Sequence, residues 1–419
     1  MDKILVRGGR PLSGTIPVSG SKNSSLPILA ACLLTREPCV IHRVPDLSDV
    51  HFMLQILTEL GAEVERASGM VTVRAEKIHA RAPYDIVRKM RASVCVLGPL
   101  LGRMREAMVS LPGGCVIGDR PIDLHLRGFE ALGAKITVAG GNVHARAERL
   151  TGATVPMRGK YGSTVLGTDN VLMAAVLAEG VTLIEGAAAE PEVVDLCEFL
   201  ITMGARIEGV GTSHLVVHGV KELHGVRHTV IPDRIEAGTF LVAGAMCGGK
   251  VTLSRVVPEH FAAVTDAIRQ AGYSVETGDD TVTVQGNGAS APLRILTDPY
   301  PGFPTDMQAQ MCALLATGKG QSTVTDQVFP HRFMHVSELK RMGAQIDLEG
   351  ATAIIRGVGR LGAAPVMASD LRASAALVLA ALAAEGTTEI HRVYHIDRGY
   401  QSIDEKLSAL GADIERVVA

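Results

Sequence analysis

The sequence has no Cys-x-x-Cys pair and no metal-ligand spacing of histidines, although it holds seven cysteines in 419 residues. An odd count without pairing motifs argues against a disulfide framework and for a reduced, cytoplasmic setting. His391 and His395 are four apart, but their segment reads as strand and loop, so no metal site is expected. No uncharged apolar run reaches the roughly 18 residues of a membrane span. The opening "MDKILVRGGRPLSG" has no apolar h-region, so neither export nor a membrane partner is expected. Net charge is only -3, so no global field favours nucleic acid, and any anion site has to be local. There is no P-loop and no GxGxxG after a strand, which argues against triphosphate and dinucleotide chemistry. No cofactor is implied.

What is present is a folded composition, 47% hydrophobic and 20% charged, in a chain long enough for two or three domains. Its organisation is a repeat. "LGAEV" at Leu60, "LGAKI" at Leu132, "MGARI" at Met203, "AGYSV" at Ala271, "MGAQI" at Met342 and "LGADI" at Leu410 are one motif written six times. Their glycines, Gly61, Gly133, Gly204, Gly272, Gly343 and Gly411, are separated by 72, 71, 68, 71 and 68 residues. A fixed period means one supersecondary unit copied.

Each copy opens with an Ala/Leu-rich stretch such as "TDNVLMAAVLAEG" or "ASAALVLAALAAEG", a helix with hardly any polar face and therefore a buried one. A short β-rich run follows, then a polar loop and an amphipathic helix that stops at the motif glycine, a natural C-cap. Alternating runs such as "MVTVRAE" and "TVTVQGN" close the copy as strands. Buried helices with sheets outside predict an α/β architecture of two inside-out α/β barrels, three repeats of about 70 residues in each. The sixth copy ends at "ADIERVVA" without its closing strands, and "ILVRGGRPLSGTIPVSG" at the N-terminus matches "AIIRGVGRLGAAPVMASD" in the fifth. The expected domains are residues 22–231, carrying the Cys115 loop, and 232–419 with 1–21. The chain crossings near Gly20 and Val230 would make a hinge.

Several buried helices begin with a charge: Lys22 in "SGSKNSS", Arg91 in "KMRASVC", Lys160 in "RGKYGST", Asp306 in "FPTDMQAQ" and Arg372 in "SDLRASAA". A cation at a helix N-terminus opposes the macrodipole at a cost of roughly 0.3–1 kcal/mol. Its recurrence points to anion sites, where helix N–H groups and a basic side chain face one ligand. The polar loops hold a second set: Cys115, Arg120 and Asp123, then Asp326 and Arg332, then Asp397 and Arg398. By the repeat these loops should converge on one cleft. Six cations there, in a chain of net charge -3, call for a ligand carrying phosphate and carboxylate. Cys115, behind Gly113 and Gly114, would then be a thiol whose acidity the cations raise.

The runs "SGSKNSSLPILAA", "LPGGCVIGDRPIDLHL", "FPTDMQAQ", "RFMHVSEL", "ASDLRASAALVLAA" and "YHIDRGY" resemble, in order and almost end to end, the UDP-N-acetylglucosamine 1-carboxyvinyltransferase family. The resemblance implies two inside-out barrels and transfer of the enolpyruvyl group of phosphoenolpyruvate to the 3-hydroxyl of UDP-N-acetylglucosamine, the first committed step of peptidoglycan synthesis. It also implies roles. Lys22, Arg120 and Arg398 would hold phosphoenolpyruvate by its phosphate, with Arg332 and Arg372 on its carboxylate side. Asn23 and Asp306 would touch the sugar, Asp306 accepting the hydroxyl proton. Arg91, Arg120, Pro121, Ile122, Asp123 and Leu124 would bind the UDP half, with Val328 nearby. Cys115 would protonate the methylene carbon. The alternatives are a 3-phosphoshikimate 1-carboxyvinyltransferase, which lacks the "LPGGC" loop and the "RPIDLH" run, and a non-catalytic UDP-sugar-binding paralogue.

Overall fold

A computed structural model describes residues 2–82, 84–87, 90–111, 122–286 and 288–418. The fifth repeat shows the unit in full. Helix Gln308–Ala316 is buried along its whole length, as its small and apolar side chains require. Strand Gln321–Asp326 follows, then helix His335–Arg341, then the hairpin Gln345–Glu349 and Thr352–Arg356. Strand residues alternate between buried and open, so Val324 pairs with Ala353 and Ile355 with Ile346 on the inner face. The fourth strand of this sheet, Arg294–Thr297, comes from the tail of the preceding repeat and runs parallel to Gln321–Asp326.

That strand order recurs throughout. Among the described residues there are six separate four-stranded sheets and one two-stranded hairpin, so hydrogen bonding does not run continuously around a barrel. The sixth sheet takes its missing strand from the N-terminus. Lys3–Arg7 lies between Thr387–His391 and Asp413–Val417, where Thr352–Arg356 lies in the fifth. Gly14–Pro17 runs parallel to Gly249–Ser254, and Arg227–Thr229 runs parallel to Cys39–His42.

The described residues form two compact units, one drawn from 20–111 and 122–231 and the other from 2–19 and 232–418. In the first, helices Lys22–Ala31, Leu97–Met104 and Val165–Ala175 pack together inside the sheets. In the second, Arg234–Cys247, Gln308–Ala316 and Leu371–Ala383 do the same. Close approach is built into the sequence at Gly98, where a Cβ would lie 2.2 Å from the Asn170 carbonyl. No helix among the described residues is long and apolar enough to cross a membrane.

The six motif glycines all have positive φ, between 93° and 105°. One position later, the N–H groups of Ala62, Ala134, Ala205, Tyr273, Ala344 and Ala412 reach back to Leu57, Phe129, Leu200, Ile268, Leu339 and Leu407 at 2.9–3.2 Å. These are Schellman caps, and they set the direction in which each helix hands over to its hairpin.

Candidate active site

In the unit containing residues 232–419, three of the expected site residues form one ionic cluster. Asp306 lies in a short 3-10 turn, Thr305–Met307, ahead of its buried helix. Its Oδ1 accepts from Arg332 Nη1 at 2.7 Å and its Oδ2 from Arg372 Nη2 at 2.9 Å. Arg372 is the second residue of helix Leu371–Ala383, whose N-cap Asp370 accepts the Arg372 and Ala373 N–H groups. The Arg372 side chain is 2% exposed and that of Asp306 is 24%, so the arginine lies beneath the carboxylate. Burial works against the Arg372 charge, but Asp306, Tyr400 and Asp233 outweigh it and raise its pKa. Each carboxylate oxygen thus accepts from one guanidinium and keeps a second lone pair for a further donor.

Other acids that the sequence groups with these arginines have different partners. Asp326 is fully buried and accepts from Thr297, Thr305, Val328 N and Phe329 N, which shapes the turn that carries Arg332. Val328 owes its place to the same carboxylate. Asp397 takes both Nη atoms of Arg416, at 3.0 and 2.7 Å. Its neighbour Arg398 ends the 3-10 segment Val393–Arg398, half-buried, close enough to depress the pKa of His395, though burial is the larger cause.

In the unit of residues 20–231, Lys22 opens helix Lys22–Ala31 behind the N-cap Ser21, with Asn23 next and half-buried. Lys22 Nζ lies 3.4 Å from Asp49, a pairing the sequence does not suggest. Arg91 begins the 3-10 segment Arg91–Val96. Ile122, Asp123 and Leu124 lead into helix Asp123–Ala131, where Asp123 is half exposed and 3.9 Å from Arg127. Cys115, Arg120 and Pro121 lie outside the described residues. Lys160 does not start a helix. It occupies the turn between Arg158–Gly159 and Gly162–Ser163, and the helix begins at Val165, because Gly162 at φ 98° reverses the chain first.

Sequence reasoning misses two polar centres. Asn170, fully buried, accepts from Gly98 N at 2.8 Å and donates to Val94 O and to His125 Nδ1, both at 2.9 Å. It ties helix Val165–Ala175 to the segment behind Arg91 and to the helix behind Asp123. Burial, aided by the Arg91 charge, pushes the His125 pKa down to about 3, which suits an Nδ1 that accepts a hydrogen bond. The second centre is Tyr400, whose hydroxyl meets Arg372, Thr239 and Gln310.

The sequence model for EPSP synthase (3-phosphoshikimate 1-carboxyvinyltransferase) matches residues 6–407. The chain belongs to the EPSP synthase family. Within that family it is 61% identical, over all of its own length and 99% of the other, to the UDP-N-acetylglucosamine 1-carboxyvinyltransferase of Akkermansia muciniphila. It is 58% identical over the same shares to the enzyme of that name from Methylacidiphilum infernorum, and 52% identical over the whole of both chains to that from Halorhodospira halophila. Among solved structures, the enolpyruvyl transferase NikO from Streptomyces tendae superposes with a TM-score of 0.90 at 27% identity, covering 100% of this chain and 99% of the other. The EPSP synthase of Acinetobacter baumannii superposes over all of both chains with a TM-score of 0.77 at 17% identity and shares the fold. As a member of the EPSP synthase family, the chain is an α/β enolpyruvyl transferase with buried helices and outer sheets.

The described cysteines differ in acidity. Burial raises the Cys95 thiol well above its ordinary range and pushes Cys197 and Cys247 up to about 12. Cys32 is raised likewise by burial. Cys39 differs: a hydrogen bond from the Cys32 thiol lowers its pKa, against the effect of burial.

Proposed function

We propose that the chain transfers the enolpyruvyl group of phosphoenolpyruvate to the 3-hydroxyl of UDP-N-acetylglucosamine, with release of phosphate, in the cytoplasm and as a step of peptidoglycan synthesis. The observation that carries this reading is identity of 52–61% over the full chain to three enzymes of that name.

The chemistry needs a proton delivered to C3 of phosphoenolpyruvate while the sugar oxygen bonds to C2 and loses its own proton. The tetrahedral adduct then returns a proton from C3 as the C2–O bond to phosphate breaks. Cys115 is the acid in this proposal and Asp306 the base, each worth roughly 10²–10⁴-fold if well placed. Lys22, Arg120 and Arg398 bind the phosphate that leaves, and their positive charge favours its departure. Arg332 and Arg372 serve the carboxylate side, where their existing grip on Asp306 supports an assignment near the base. Asn23 orients the sugar, and Arg91, Arg120, Pro121, Ile122, Asp123 and Leu124 hold the UDP half beside Val328. The Asn170–His125 tie supports that assignment, since it anchors the elements bearing Arg91 and Asp123.

Mass analysis of the sugar nucleotide after incubation with phosphoenolpyruvate tests the reading. It requires UDP-N-acetylglucosamine carrying one enolpyruvyl ether. Unchanged nucleotide would overturn it.

A further inference from the structure

The Asp306 cluster has a neutral side that the proton transfers proposed above do not use. The hydroxyl of Tyr400, a residue 2% exposed, lies 3.0 Å from Arg372 Nη1, 2.9 Å from Thr239 Oγ1 and 3.3 Å from Gln310 Nε2. The directions follow from the donors available. Arg372 can only donate, so the Tyr400 oxygen accepts from it. Thr239 spends its own proton on the Ile235 carbonyl at 2.8 Å, so Thr239 accepts from the Tyr400 O–H. Gln310 donates to Thr239 at 3.1 Å and to the Asp306 carbonyl at 2.9 Å. A one-way chain therefore runs from Arg372 through Tyr400 and Thr239 to the backbone of helix Arg234–Cys247. All three buried helices of the unit contribute to it.

The fork of Arg372 is divided by this chain. Nη1 goes to Tyr400, Nη2 goes to Asp306, and Nε is buried without a hydrogen-bond partner among the described residues. With one Nη held by a neutral acceptor, Arg372 offers Asp306 a single hydrogen bond and not a two-pronged clamp. We propose that Tyr400 is a positioning residue, which through Arg372 holds the Asp306 carboxylate in the orientation and with the freedom needed to take the substrate's hydroxyl proton. The proposal rests on Asp306 being the base.

The test is a double-mutant cycle on the full chain. Tyr400→Phe keeps the ring and removes the hydroxyl. It should lower kcat about tenfold with KM for both substrates within about twofold, and it should cost less than about twofold in an Asp306→Asn background. An equal cost in both backgrounds, or an unchanged kcat in the wild-type background, overturns the positioning role. If Asp306→Asn keeps wild-type kcat, it is the base assignment that fails. A second pair gives an independent reading. Thr239→Val breaks the chain one bond further on and should lower kcat severalfold, while Thr239→Ser retains the hydroxyl and should keep it within about twofold. Equal behaviour of these two variants contradicts the proposal even where Tyr400→Phe does not fold.

Discussion

Arg372 meets Asp306 at 2.9 Å from beneath, with an arginine side chain that is 2% exposed against 24% for the carboxylate. The pair therefore has one face in the protein and one face open. A cation buried to this degree is tolerable only with its partners in place, since an unpaired buried charge costs several kcal/mol. Tyr400 and Asp306 together satisfy both of its terminal nitrogens.

Asp306→Asn should keep the fold and the binding of the sugar nucleotide but lose most turnover, with the loss in kcat more than in KM. The amide preserves shape and still accepts one arginine, yet it cannot take a proton. A kcat within about threefold of wild type would make Asp306 a positioning group and assign the base elsewhere.

The motif glycines can be ranked. At Gly133, φ is 94° and an added Cβ would find its nearest neighbour at 3.7 Å, so Gly133→Ala should cost only the left-handed backbone strain, about 1–2 kcal/mol. At Gly61, φ is 98° and the Cβ would lie 2.6 Å from the Lys77 carbonyl oxygen. Gly61→Ala should lower the urea midpoint at least twice as far as Gly133→Ala. Equal shifts would mean that the loop at Lys77 yields freely.

His125 makes stability depend on pH with a definite sign. In the unfolded chain its ring takes up a proton near pH 6.5, as histidines ordinarily do, and in the folded chain only near pH 3, where burial and Arg91 have pushed its pKa. Between these values the unfolded state binds more protons, so stability is full above the unfolded pKa and is lost as pH falls, by about 1.4 kcal/mol per pH unit for one such group. His335, pushed down to about 4 by burial, acts in the same direction. His125→Gln can still accept from Asn170 and should show a shallower loss of melting temperature between pH 6 and pH 4. An identical slope would exclude His125 as a contributor.

Among seven cysteines, Cys115 alone should be alkylated rapidly by a small phosphonate epoxide of the fosfomycin type, and UDP-N-acetylglucosamine should accelerate the labelling. Cys39 is the competitor to watch, because the Cys32 thiol lowers its pKa although it is buried. Peptide mapping after brief exposure checks this. Label on Cys39 in preference to Cys115, or labelling slowed by the nucleotide, would contradict the donor-site assignment of Cys115.

Much of the fold was legible because it rests on local chemistry repeated six times. A glycine that must adopt positive φ, an all-apolar helix and an alternating hairpin each leave a mark in the sequence, and the match of "ILVRGG" to "AIIRGV" even reveals which strand is borrowed. The charged corner was legible only in part. Asp306, Arg332 and Arg372 stand out at helix starts and loops, but so do Asp326 and Asp397, which serve a turn and Arg416 instead. Charge alone does not reveal which partner an acid will find. Tyr400 sits in "YHIDRGY" and Asn170 in an apolar helix, where a single polar atom leaves no periodic trace. Thr239 lies 161 residues from Tyr400 and Val94 lies 76 from Asn170, so only packing reveals these contacts.

The central claim is enolpyruvyl transfer to a UDP-sugar, and phosphate release with two competing acceptors measures it directly. Phosphoenolpyruvate should yield phosphate with UDP-N-acetylglucosamine and little or none with shikimate 3-phosphate, and Asp306→Asn should abolish most of the signal. Release with shikimate 3-phosphate in preference, or with neither acceptor, would contradict the account.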